Sequence, residues 1–232
     1  MPNASVSIVV PAYNEERTIG EVLRRVSGLG LATEIIVVDD GSVDGTVQLV
    51  RSLEGKLNGL VVLPQDANRG KGAAVRAGIQ VSTGDIVVIQ DADLEYDPAD
   101  IPTLLRPLQE GVADVVYGTR LRGGEPQRAH LFWHYLGNRA LSLMTNVLYN
   151  TTLSDMETCY KLFDRTLIDG LTLRAERFEF EPEVTAKILR QGVRIYEVPI
   201  SYTGREFDEG KKITWRDGFV ALWTLVKYRF VE

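Results

Sequence analysis

The sequence holds one cysteine, Cys159, and two histidines among 232 residues. A single thiol makes no internal disulfide, and the Cys and His spacings of a zinc site are missing, so the expected compartment is a reducing one. Basic residues are in deficit: 26 Lys and Arg against 32 Asp and Glu give a formal charge of -6. That balance lacks the basic stripe of a nucleic-acid binder. No apolar run approaches the length needed to span a bilayer, and Met1-Pro2-Asn3-Ala4-Ser5 lacks the basic start of a secretion signal. Internal repeats and low-complexity tracts are also missing. The expectation is a cytoplasmic protein, any contact with a membrane being at its inner face.

What remains is an ordinary globular composition, 44% hydrophobic and 25% charged, long enough to bury a sizeable core. Four short apolar runs, Val6–Val10, Glu34–Val38, Gly59–Leu63 and Ile86–Ile89, read as buried strands. Pro11 is expected to break the first. Apolar residues at helical spacing separate them: Ile19, Val22, Leu23 and Val26, then Val47, Leu49, Val50 and Leu53, then a glycine-rich, basic helix start at Asn68-Arg69-Gly70-Lys71-Gly72. Ser42 or Asp44 is placed to cap the second helix. This alternation predicts an α/β fold with a parallel, doubly wound sheet.

Three of the four strands end in polar residues: Tyr13-Asn14-Glu15, Asp39-Asp40, and Gln90-Asp91-Ala92-Asp93-Leu94-Glu95. Ligands of open α/β sheets bind at the carboxyl ends of the strands. Asp91 and Asp93, two apart on an extended chain, point the same way with Glu95 in register. Carboxylates that close need a cation, and Mg²⁺ or Mn²⁺ held by carboxylates usually also holds a phosphate. A solvated acidic loop would look the same in isolation.

Beyond Asp91 the chain continues as a helix opened by Pro98 and Pro102, a strand at Ala113–Gly118, and a basic segment around Arg120. No composition break marks a linker, so residues 1–232 read as one domain with two functional halves, 1–118 and 119–232. The second half is less regular. Leu131 to Leu148 and Trp215 to Phe230 are amphipathic helices suited to the core or to a membrane interface. Asp155 to Phe163 mixes polar and aromatic residues, a helix is expected over Val184–Gln191 and a strand over Val193–Ile200, and Arg205 to Ile213 is a charged loop.

Pro11-Ala12-Tyr13-Asn14-Glu15, Asp39-Asp40-Gly41-Ser42, Asn68-Arg69-Gly70-Lys71-Gly72, Gln90 to Glu95, and Asp155 to Phe163, in that order, resemble the inverting, family-two nucleotide-sugar glycosyltransferases. Asp155 to Phe163 and Arg205 to Lys212 resemble the polyprenyl (dolichyl) phosphate mannosyl- and glucosyltransferase branch. The resemblance implies a GT-A fold, a nucleotide-sugar-binding half at 1–118 and an acceptor-binding half after it. It implies that Pro11, Ala12, Tyr13, Glu15, Val38, Asp39, Asp40, Asn68, Lys71, Asp91, Ala92, Asp93 and Arg120 bind the nucleotide sugar. Asp91 and Asp93 would hold Mg²⁺ or Mn²⁺. Glu95 stands where the dolichyl enzymes often have glutamine, as a further ligand or as an acid that supports the ligands. Arg128, Arg205 and Lys212 would gather phosphates; Asp93, Asp155, Arg205 and Lys212 would serve the reaction.

The expected reaction is inverting transfer of a hexose, mannose before glucose, from a nucleotide diphosphate sugar to polyprenyl phosphate at a membrane surface. A homo-oligomer or a separate membrane-anchoring partner is compatible with it. A soluble transferase acting on a hydroxyl would need Asp155 as base. A receiver-like signalling module would be about half this length and would leave the aromatic second half without purpose. A non-catalytic nucleotide binder would not require the motifs of the acceptor half.

Overall fold

The computed structural model describes residues 4–121, 132–204 and 215–231. The apolar runs become strands β1 (Val6–Ala12), β2 (Glu34–Asp39), β3 (Leu60–Pro64) and β4 (Ile86–Ile89), with helices α1 (Ile19–Gly28), α2 (Thr46–Leu53) and α3 (Lys71–Val81) between them. A 3₁₀ turn at Pro98–Asp100 leads into α4 (Ile101–Gln109), followed by β5 (Val115–Thr119) and α5 (Phe132–Tyr149). Then come β6 (Lys161–Asp164), α6 (Arg165–Asp169), α7 (Phe180–Arg190), β7 (Ile195–Pro199) and α8 (Trp215–Phe230).

The strands form one seven-stranded sheet in the order β3-β2-β1-β4-β6-β5-β7. It is mostly parallel, as expected, except that β6 runs antiparallel to both β4 and β5. The chain starts at β1, builds outward through β2 and β3, and returns to add β4 on the other flank of β1. That reversal opens a crevice beyond the carboxyl ends of β1 and β4, the place where such sheets bind ligands.

Pro11 does not break β1. The strand continues through it, with Pro11 opposite Val38 and Ala12 opposite Asp39. The Val9 carbonyl faces β4, accepting from Gln90, and the Ala12 carbonyl faces β2, accepting from Asp40. By alternation the ring nitrogen of Pro11 also faces the β4 side, where pairing has ended at Ile89, so no ladder bond is forfeited.

One face of the sheet is covered by α1 and α4, through Ile19, Val22, Leu23, Leu104 and Leu105 on Ile8, Val10 and Val88. The other carries α3 and α7, through Ala74, Val75, Phe180 and Val184 on Val9, Val87 and Phe163. Helix α3 lies close because Gly78 faces β1; a Cβ there would meet Val9 Cγ1 at 2.3 Å. A smaller cluster of Met156, Ala186, Leu225 and Tyr228 joins the 154–159 turn to α7 and α8. No helix among the described residues is long and apolar enough to cross a membrane.

Candidate active site

Past β4 the chain enters a cleft of about 780 Å³ that takes in residues from both halves. Asp91, Ala92, Asp93 and Glu95 line it, and the acids are less solvent-facing than a bare strand end suggests. Asp93 is 9% exposed, and its Oδ1 accepts the Glu95 backbone N–H at 3.1 Å. Asp91 Oδ1 pairs at 2.9 Å with Lys71, the first residue of α3. Lys71 also reaches Glu181 on α7 at 3.2 Å and the Cys159 thiol. Burial alone would lower the Lys71 pKa, but Asp91, Cys159 and Glu181 together hold it well above the ordinary value. The repulsion between the strand-end acids is thus partly offset by a protein cation. Glu95 accepts a hydrogen bond from the Tyr202 hydroxyl at 2.7 Å, tying the acidic turn to the chain after β7.

Pro11, Ala12, Tyr13, Glu15, Asp40 and Asn68 line the same cleft. Their loops are laced together by side chains. Asn14, at a positive φ of 55°, accepts from the Val43 N–H at 2.9 Å, and the Glu15 N–H donates to the Thr46 hydroxyl at 2.9 Å. The Asp44 carboxylate accepts from the Thr46 N–H at 3.0 Å, but neither Ser42 nor Asp44 is the cap of α2: that residue is Gly45, with no side-chain cap bond. Both carboxylate oxygens of Asp40 accept backbone N–H groups, of Arg69 and Gly70, at 2.8 Å. Asp40 therefore fastens the Asn68 loop over the strand ends while lining the cleft. Gly41 permits that approach, having φ +72° and no room for a Cβ, which would meet Asn68 N at 2.7 Å. Asp39 and Val38 are buried behind this wall; Asp39 Oδ2 accepts the Ser42 N–H at 3.0 Å, and its Oδ1 is enclosed without a protein partner among the described residues.

From the later part of the chain, Arg120 follows β5 and lines the cleft, with Asp155 wholly buried behind it. The Asp155 carboxylate accepts from Arg120 N, Nε and Nη2 at 3.0, 2.7 and 2.8 Å and from Asn138 Nδ2 at 2.9 Å. Burial pushes this carboxyl up, but the Arg120 guanidinium and these hydrogen bonds hold it below its usual value. The guanidinium lies 5.2 Å from the Tyr202 ring centroid and 6.0 Å from that of Tyr96. Asp155 is thus an orienting partner of Arg120 and is poorly placed to act as a base. Arg128, Arg205 and Lys212 lie outside the described residues.

Several lining residues escape sequence reasoning: Tyr96, Tyr202, Asn138, Glu157, Cys159 and Glu181. Glu181 sits in Phe178-Glu179-Phe180-Glu181, where nothing in the pattern separates it from the acids usual in a first helical turn. Among the described residues no three His, Cys, Asp or Glu side chains form a ready metal cage. The donor set still suits Mg²⁺ or Mn²⁺, which usually bind through one or two carboxylates and leave the remaining positions to water and substrate phosphate.

The sheet and its covering helices have the GT-A architecture, and the chain belongs to glycosyl transferase family 2, whose model matches residues 7–172. It is 30% identical over 215 residues to the undecaprenyl-phosphate 4-deoxy-4-formamido-L-arabinose transferase of Salmonella paratyphi B, covering 90% of this chain. The chain spans 63% of the length of that relative. Among solved structures it is similar to glucosyl-3-phosphoglycerate synthase from Mycobacterium tuberculosis, in complex with Mn²⁺, UDP and glucosyl-3-phosphoglycerate. The TM-score is 0.76 and the identity 24%, over 99% of this chain and 81% of that one. A mannosyltransferase from Pyrobaculum calidifontis with GDP-Man and Mn²⁺ gives a TM-score of 0.59 and 24% identity, over 84% of this chain and 55% of that one.

Proposed function

We propose that this chain is a metal-dependent inverting glycosyltransferase that moves a hexose, mannose before glucose, from a nucleotide diphosphate sugar to polyprenyl phosphate. The observation that carries the lipid acceptor is the part of the cleft lining supplied by the two amphipathic helices. It is built by Tyr135, Asn138 and Leu141 of α5 and by Asp217, Gly218 and Ala221 of α8. The same two helices expose Phe132, Leu136, Leu143 and Val147, and Phe219, Val220, Trp223 and Phe230. Large apolar side chains on helices that flank a polar cleft suit a lipid surface delivering its headgroup. The undecaprenyl-phosphate acceptor in the name of the 30% identical relative supports the same reading. On it the protein works at the inner face of the membrane, with residues 1–118 serving the donor and 119–232 the acceptor.

The donor would lie with its nucleoside against Pro11, Ala12, Tyr13, Glu15, Asp40 and Asn68, and its diphosphate over Asp91, Asp93 and Lys71. Asp91 and Asp93 would hold Mg²⁺ or Mn²⁺, with Glu95 beside them; the ion supplies positive charge against the charge growing on the leaving diphosphate. Lys71 and Arg120 add fixed cations to the cleft lining. A phosphate oxygen of the acceptor attacks the anomeric carbon as the bond to the nucleoside diphosphate breaks on the opposite face, with inversion. Because that oxygen is already anionic near neutral pH, no strong base is required, in keeping with an Asp155 fully engaged by Arg120 and Asn138. The test is a transfer assay with radiolabelled GDP-mannose or UDP-glucose, Mn²⁺ and polyprenyl phosphate. Label entering the organic phase is expected; label only in a water-soluble product would sink the lipid acceptor.

A further inference from the structure

The turn between α5 and β6 is fixed on every side. The N–H groups of Ser154 and Asp155 donate to Glu197 Oε1 at 2.8 and 3.1 Å, and that of Met156 to the Ser142 hydroxyl at 3.1 Å. The carbonyls of Met156 and Thr158 accept from the buried Lys161 ammonium, which rests 4.6 Å from the Tyr117 ring centroid. The Cys159 N–H donates to the Tyr96 hydroxyl at 3.2 Å. Within this rigid turn the Glu157 side chain lines the cleft, and its Oε1 is closed to solvent with no hydrogen-bond partner among the described residues. A buried polar atom without a partner is costly, and rotation of the carboxyl about its last side-chain bond would bring Oε1 to the cleft that Glu157 lines, so the site points to a group that arrives from outside.

Position says which group. If the cleft holds a nucleotide sugar, the nucleoside end is at Tyr13 and Asp40 and the diphosphate is at Asp91 and Lys71. Lys71 reaches Glu181, the charge that acts most strongly on Glu157. The next part of the donor along that path is the sugar. Lys161 and Arg120 also act on Glu157, but Lys161 is held by the Met156 carbonyl and Arg120 by Asp155, so a phosphate here would meet two acids, whereas a sugar hydroxyl both donates and accepts and pairs with a carboxyl in either protonation state. Burial and the charge of Glu181 raise the Glu157 carboxyl to about 8, which leaves it a neutral donor and acceptor through much of the neutral range.

We propose that Glu157 is a specificity-determining residue that hydrogen-bonds one hydroxyl of the sugar being transferred. This rests on the cleft being a nucleotide-sugar site. The test is calorimetric titration, with Mn²⁺ present, of wild type, Glu157→Ala and Glu157→Gln with GDP, UDP, GDP-mannose and UDP-glucose. In Glu157→Ala the affinity for the preferred sugar nucleotide is expected to fall about tenfold relative to its parent diphosphate, the worth of one buried hydrogen bond. Diphosphate affinity should stay within about twofold, which also reports an intact fold, and Glu157→Gln should keep most of the sugar contribution. A donor lacking the contacted hydroxyl should bind wild type and Glu157→Ala alike. Unchanged sugar-nucleotide affinity in Glu157→Ala, or equal loss for diphosphate and sugar nucleotide, would overturn the inference and leave the proposed function standing. A wild type that binds none of the four ligands would overturn both.

Discussion

Asp155 separates two chemistries, and the buried pair it makes with Arg120 allows the separation to be measured. Its side chain is inaccessible, that of Arg120 is 15% exposed, and the carboxylate accepts four hydrogen bonds. Replacing Asp155 by leucine leaves a guanidinium enclosed by Tyr96 and Tyr202 without its counter-charge. Breaking one side of a buried pair costs about 3–5 kcal/mol, a large share of the about 5–15 kcal/mol that holds a domain folded. At roughly 2–4 °C per kcal/mol for a chain of this size the midpoint should fall by roughly 6–20 °C. The double variant Arg120→Met, Asp155→Leu should recover most of this, because no buried charge is left unpaired. The assay is urea unfolding of the four proteins as a double-mutant cycle, since the two sites are in contact and their effects should not add. Acid provides a second check. The Asp155 pKa is lowered in the folded state, so its contribution is complete above the unfolded carboxylate value of about 3.9 and is lost as pH falls through the folded value. The gap between wild type and Asp155→Leu should therefore be constant at neutral pH and shrink in acid. If Asp155→Asn abolished transfer while unfolding exactly as wild type does at every pH, Asp155 would be a base and the reasoning would fail.

Asp91→Asn and Asp93→Asn should each reduce transfer by about 100-fold or more. Lys71 keeps Glu181 when Asp91 is neutralised, so thermal unfolding without ligand should barely move; metal-dependent activity retained in both variants would refute the assignment. The same substitutions should remove the Mn²⁺-dependent part of the thermal shift produced by GDP or UDP, a stabilisation of about 2.7 kcal/mol at 100 times Kd in wild type. Glu157 titrates higher folded, at about 8, than unfolded, at about 4.3. Wild type should thus lose stability as pH rises through that window, and Glu157→Gln should flatten the loss; parallel unfolding curves from pH 5 to 8 would contradict the raised value. Leu143→Ser and Trp223→Ser, at side chains on residues 63% and 66% exposed, should weaken sedimentation with phospholipid vesicles by about tenfold or more, each losing part of the about 1.5–3 kcal/mol of an apolar side chain leaving water. Unchanged sedimentation would return both residues to ordinary surface.

The first four strands were legible because their information is local. Val6–Val10, Glu34–Val38 and Ile86–Ile89 are apolar runs that end in polar residues, and a parallel sheet must deliver those ends to one edge. Strand order was not legible, and neither was β6. Lys161-Leu162-Phe163-Asp164 is too short to carry a period, and its direction is set by pairing with Val87 and Val116, far off in the chain. Pro11 misled because the rule against proline in a strand concerns a donor with a partner to lose, and β4 stops before one is needed. The 154–159 part of the cleft was hidden for a further reason. The 154–159 turn is specified by groups dispersed along the chain, Glu197 on β7, Ser142 on α5, Tyr96 after β4 and Lys161 on β6, each contributing one bond. Spacing cannot reveal a site assembled in this way. Asp155 and Glu157, two residues apart, look equivalent in sequence. In the fold one has every lone pair engaged by Arg120 and Asn138, and the other presents an oxygen that the protein leaves unmatched. On the function proposed above, that difference makes Asp155 a support for the site and Glu157 its candidate reader of the sugar.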